Sequence, residues 1–128
     1  MADYRYFVEF RHAGWMRPDV FAFLKENDME FVSVDEPPLR GLLPPTPVVT
    51  GNVLYVRFHG RNAENWWGGA GDRYDYNYSK AELTDWLEKI KKLREKATET
   101  FLFFNNCHRG QAAQNGATML NMLGGAID

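Results

Sequence analysis

The stretch Val53-Leu54-Tyr55-Val56-Arg57-Phe58-His59-Gly60-Arg61-Asn62 decides how the chain folds. It alternates with period two, as a strand does. Leu54, Val56 and Phe58 point one way, and Tyr55, Arg57 and His59 the other. A face that is apolar throughout predicts helices packed on it. The opposite face turns from aromatic to cationic along its length, which is unlike an ordinary core. Gly60 ends the strand and Arg61 follows at its exit. Polar side chains at the C-terminal end of a strand, just before a loop, stand where α/β folds place ligands.

The same gradient recurs on both sides of this stretch. Arg5 to Arg11 reads as a strand with Tyr6, Val8 and Phe10 outward and Phe7, Glu9 and Arg11 inward. His12 to Trp15 follow as a loop. Pro18 suits a first helical position, and Val20, Phe21 and Leu24 give that helix an apolar stripe. Glu30 to Asp35 is a further strand, with Phe31, Ser33 and Asp35 on one face and Val32 and Val34 on the other. From Glu36 to Asn52 the prolines 37, 38, 44, 45 and 47 rule out a continuous helix and predict an extended crossover, with one turn near Leu39 to Leu43.

Beyond the central strand, the connection from Gly60 to Tyr78 carries Trp66, Trp67, Tyr74, Tyr76 and Tyr78. Loops this long are functional or disordered, and this one has too many aromatics for disorder. Gly68-Gly69-Ala70-Gly71 reads as a hinge, because no strand runs from it directly into a helix. Ser79-Lys80-Ala81-Glu82 is a capping box opening a helix with Leu83, Trp86, Leu87, Ile90 and Leu93 buried and Lys89, Lys91 and Lys92 in water. Phe101 to Asn106 is a fourth strand. After Cys107-His108-Arg109-Gly110 a last helix runs from Gln111 to Leu123 and stops at Gly124-Gly125. Strands alternating with helices or crossovers predict a parallel α/β arrangement.

Composition sets bounds on function. The 128 residues suffice for one domain, and 45% hydrophobic and 15% aromatic content is that of a globular protein. A net charge of −2 does not indicate nucleic acid as a partner, although it leaves local positive charge open. There is no membrane-spanning run and no signal-peptide apolar region, and the single Cys107 forms no intrachain disulfide. A cytoplasmic location is the expectation.

Five motifs occur in order: Tyr6-Phe7-Val8-Glu9-Phe10-Arg11-His12 with Trp15; Tyr55-Val56-Arg57-Phe58-His59-Gly60-Arg61-Asn62; Tyr74-Asp75-Tyr76 with Tyr78-Ser79; Phe103-Phe104-Asn105-Asn106; and Arg109-Gly110-Gln111-Ala112 with Asn115. Together they resemble the YecE-like family, whose activity is not established. The resemblance implies a TIM-type (β/α)8 barrel. It covers only the C-terminal half of the family's length, so it implies half a barrel, with about four parallel strands, flanking helices and no N-terminal half. Cys107-His108 departs from the family's usual residues.

In that reading Glu9, Arg11, Asp35, Arg57, His59 and Asn105 face inward at the strand C-termini. Glu9, Asp35 and His59 are the candidate catalytic residues; Arg11, Arg57, Arg61, Asn105, Asn106, Trp66 and Tyr76 are the candidate substrate contacts. Guanidinium groups match phosphate or carboxylate oxygens, so an anionic ligand, small or polymeric, is expected. His59 would serve as general acid or base. The alternative is an ion-pair network that only fills the barrel mouth. Trp66 and Trp67 are either a lid or rim packing. Glu9, Asp35 and His59 are chemically adequate for a divalent cation, but the nearby arginines oppose one, and no metal or cofactor is expected. Four strands cannot close a barrel, and open edges invite pairing, which predicts a homo-oligomer or a partner half-barrel.

Overall fold

The computed structural model describes residues 4–68, 72–106 and 109–127. Four strands, β1 (Tyr6–Val8), β2 (Met29–Asp35), β3 (Val53–Phe58) and β4 (Glu99–Phe104), lie parallel in the order β1-β2-β3-β4. Helices α1 (Pro18–Glu26), α2 (Lys80–Lys92) and α3 (Gln111–Ile127) connect or follow them. Sequential strands that stay neighbours, all parallel, make the arrangement of one half of a TIM-type barrel. None of the helices among the described residues is long and apolar enough to cross a membrane.

The ladder register decides which side chains share a face. Val34 pairs with Arg57 and Arg57 with Phe103, while Asp35 pairs with Phe58 and Phe58 with Phe104. Partners in a parallel ladder point the same way. The helix-packed face therefore holds Phe31, Ser33, Asp35, Leu54, Val56, Phe58 and Phe104. Leu54, Val56 and Phe58 are wholly buried against Leu83, Trp86 and Ile90 of α2 and Met119 of α3. The Phe58 ring stacks on Phe104 at 4.4 Å and meets Trp86 edge-on at 5.4 Å. The inner face carries Phe7, Tyr55, Phe101 and Phe103, with Tyr55 stacked on Phe103 at 5.1 Å and tilted against Phe7 at 4.9 Å. Phe7, Phe101 and Phe103 remain exposed.

Several elements depart from expectation. β1 is shorter than Arg5 to Arg11, since only Tyr6 to Val8 ladder with β2. The crossover is extended, as its prolines require, and it lies in place of a barrel helix. Val49 packs on the Leu54–Val56–Phe58 cluster, and Thr50 Oγ1 accepts from Phe31 N while donating to Met29 O. α2 begins at the expected capping box: Glu82 N donates to Ser79 Oγ at 3.1 Å, and Ser79 N to Glu82 Oε1 at 2.9 Å. Lys89 is not simply solvated, because its ammonium reaches Pro45 O at 2.8 Å and sits over the Trp86 ring. α3 does not stop at Gly124-Gly125 but continues to Ile127. Gly124 lacks the positive φ by which a glycine ends a helix, so the hydrogen-bond ladder runs on through it.

Candidate functional site

Two polar networks occupy opposite faces of the sheet at its C-terminal end. On the inner face Glu9 is the hub. Arg57 Nη1 donates to Glu9 Oε1 at 2.8 Å, Arg11 Nη2 lies 3.3 Å from Oε2, and His59 Nε2 lies 3.2 Å from the same oxygen. Asn105 Nδ2 stands 3.3 Å from His59 Nδ1. Burial pushes the Glu9 carboxyl up. The His59 hydrogen bond and the charges of His59, Arg57 and Arg11 outweigh it and hold Glu9 below the usual glutamate value. His59 is 2% exposed with a partner on each ring nitrogen.

Asp35 does not belong to this cluster, which corrects the expectation from sequence. It lies on the helix-packed face, fully buried. Its Oδ1 accepts from Arg61 Nη2 at 2.6 Å and Trp86 Nε1 at 2.7 Å; its Oδ2 accepts from Arg61 Nε at 2.9 Å and Tyr78 OH at 2.7 Å. Arg61 goes with it, reaching Glu82 Oε2 at 3.3 Å, and Tyr76 OH donates to that same oxygen at 2.6 Å. Burial first, then Glu82, pushes the Tyr76 phenol up to about 12. Burial and Asp35 raise Tyr78 further. The bidentate bond to Asp35 raises Arg61 against the opposing effect of burial. Asn106 is also on the helix side, buried, with Nδ2 donating to Tyr76 O and Asn115 Oδ1. Asp35, Arg61, Tyr76 and Asn106 thus hold the sheet to α2 and α3. The trio Glu9, Asp35 and His59 is not assembled.

A single residue separates the two faces at the exit of β3. Gly60 has φ +93°, its N–H donates to Tyr78 OH at 2.8 Å, and a Cβ there would meet Tyr76 Cβ at 2.9 Å. Only glycine suits that turn.

Next to the inner cluster a cleft of about 130 Å³ is lined by Arg11, Glu36, Leu42, Trp66, Trp67 and Arg73. Trp66 is buried, with Tyr74 edge-on at 6.1 Å and the Arg73 guanidinium 4.9 Å above its ring; Trp67 is exposed. Glu36 is buried too. Burial raises its carboxyl above the usual value, against the opposing charges of His59 and Arg11 and a hydrogen bond from Leu43 N. Glu36 and Arg73 are missing from the sequence-derived set. Alternation through Val32 and Val34, carried past the strand end, reaches Glu36; Arg73 has no periodic signal, because it sits in a single 3-10 turn, Asp72–Tyr74, within a long connection. Cys107, His108 and the Gly69-Ala70-Gly71 part of the hinge lie outside the described residues.

The sequence pattern of the family described as "Protein of unknown function DUF72" matches residues 1–127. The UPF0759 protein YunF of Bacillus subtilis is 34% identical over 135 residues, a match covering 96% of this chain and 48% of YunF. The crystal structure of a DUF72 family protein from Thermotoga maritima is similar with a TM-score of 0.90 and 45% identity, over 95% of this chain and 47% of that one. A DUF72 family protein from Enterococcus faecalis is similar with a TM-score of 0.83 and 34% identity, over 95% of this chain and 49% of that one. The chain spans about half the length of these relatives. A match along nearly every residue, joined to the shared fold, means that this chain belongs to the DUF72 family.

Proposed function

We propose that the inner face at the strand C-termini is an enzyme-like site for an anionic, phosphate-bearing substrate, with hydrolytic chemistry as its reaction class. One observation carries this reading: Arg11 and Arg73 line a cleft beside the Glu9–Arg57–His59 cluster, at the sheet end where barrel enzymes hold their substrates. Arg57 bonds Glu9 and Arg61 bonds Asp35 away from the cleft, whereas Arg11 and Arg73 line it and are the cations offered to a ligand there. Glu9 and Asn105 orient the His59 ring, and Glu36 is the carboxyl nearest the cleft that can hold a proton. The test is thermal unfolding with added phosphate. Binding to the folded state alone stabilises it by about 2.7 kcal/mol at a hundredfold excess over Kd. No shift with phosphate or simple phosphate esters refutes the reading. Phosphate binding without turnover of any ester leaves a binding module.

A second reading concerns assembly. The exposed inner-face rings Phe7, Phe101 and Phe103 and two open sheet edges favour completion by strands from outside these 128 residues, a second copy being the simplest source.

A further inference from the structure

The Glu36 cleft lets the ligand be described more closely, and this inference rests on the anionic-site reading above. We propose that the cleft is a pocket for a tetrahedral oxyanion, in which Arg11 and Arg73 make the charged contacts and Glu36 Oε1 is the proton-donating contact. Glu36 has one committed oxygen: Oε2 accepts from Leu43 N at 3.3 Å. Oε1 has no hydrogen-bond partner among the described residues, and Glu36 lines the cleft. Arg11 uses one nitrogen on Glu9, while the rest of its guanidinium stays exposed. Arg73 lies over Trp66 and lines the cleft, and a cation held over a ring still carries N–H donors that an oxyanion can accept from.

Size and charge point the same way. A cleft of about 130 Å³ is small beside the roughly 300–1,000 Å³ of pockets that enclose drug-sized ligands. It suits a head group, with the remainder of the molecule leaving past the exposed Trp67 ring. The charged groups around Glu36 are His59 just after β3, Glu9 and Arg11 from the chain after β1, and Arg73 across the cleft. Glu9 is already satisfied by Arg57 and His59. With Glu36 protonated, the cleft presents two guanidinium groups and an acid O–H. With Glu36 ionised, one of those charges is cancelled and an entering oxyanion is repelled. Anion binding therefore draws a proton onto Glu36, and the burial that raises this carboxyl makes the protonated form accessible.

Sulfate is the probe, because its own charge does not change over the working range. Calorimetric titration at about pH 5 and about pH 8, in buffers of different ionisation enthalpy, reads both affinity and protons taken up. The expected result is tighter binding at the lower pH with net proton uptake. Glu36→Gln keeps an N–H donor and is expected to bind without proton uptake and with a flattened pH dependence. Arg73→Ala is expected to lose about tenfold or more in affinity, and because Arg73 packs over the buried Trp66 ring its urea midpoint is measured alongside to separate lost binding from lost stability. Proton uptake that persists in Glu36→Gln assigns the titration to a group other than Glu36 and overturns the proposal while leaving the anionic site standing. Absence of sulfate and phosphate binding at either pH overturns both.

Discussion

Replacing Asp35 with alanine tests whether this carboxylate belongs to the ligand site or to the fold. Its side chain is fully buried and accepts four hydrogen bonds from three residues at 2.6–2.9 Å. Arg61 is partly exposed and keeps Glu82, so it can turn toward water. Tyr78 and Trp86 are buried and cannot. Stranding one buried donor costs about 1–3 kcal/mol, so the Tyr78 hydroxyl and Trp86 indole together bracket the about 3–5 kcal/mol typical of breaking a buried ion pair. A domain stable by about 5–15 kcal/mol loses a large part of its margin. Urea unfolding followed by tryptophan fluorescence and circular dichroism measures the loss, with Tyr78→Phe expected at about 1–3 kcal/mol because it leaves the Gly60 N–H without its acceptor. A loss below about 1 kcal/mol for Asp35→Ala, combined with lost anion binding, would refute the structural assignment and return Asp35 to the site.

Other outcomes follow from the same geometry. Ser79→Ala removes the acceptor for Glu82 N and is expected to cost about 0.5–2 kcal/mol by urea unfolding. Gly60→Ala forces a side chain into a left-handed turn against Tyr76 and is expected to cost more than about 1 kcal/mol in the same assay. Glu9 and Glu36 act with opposite sign on the pH dependence of stability. Glu9 titrates lower in the folded chain than its ordinary 4.5, so its contribution is present above that value and is lost as pH falls below it; Glu9→Gln removes this acid-side loss. Glu36 titrates higher when folded, so its contribution is present below 4.5 and is lost as pH rises through the raised value; urea midpoints of Glu36→Gln across this range should lack that decline. Light scattering at micromolar concentration is expected to show self-association through the open edges and the inner aromatic face, and a clean monomer would count against it.

Much of the architecture is legible in the sequence because it depends on local periodicity. Alternating Cβ directions divide Leu54, Val56 and Phe58 from Tyr55, Arg57 and His59, and only the second set is polar enough to line a site. Ser79 and Glu82 mark the start of α2 because both halves of a capping box lie within four residues. Glu9, Arg57, His59 and Asn105 meet because each follows the inward phase of its own strand. What periodicity leaves open is which phase of a strand faces in. The β2 stretch has apolar residues on both faces, so its pattern does not show that Asp35 is the wrong choice of inward acid; pairing with β3 does, by setting Asp35 beside Phe58. That register sends Asp35 to α2 and Glu36 to the cleft. Arg61, Tyr76 and Asn106 follow the same division, since their partners Asp35, Glu82 and Asn115 all stand on the helix side of the sheet. Arg73 and Trp66 come together in a connection without repeating pattern, where only the packing of the folded chain brings a guanidinium over an indole.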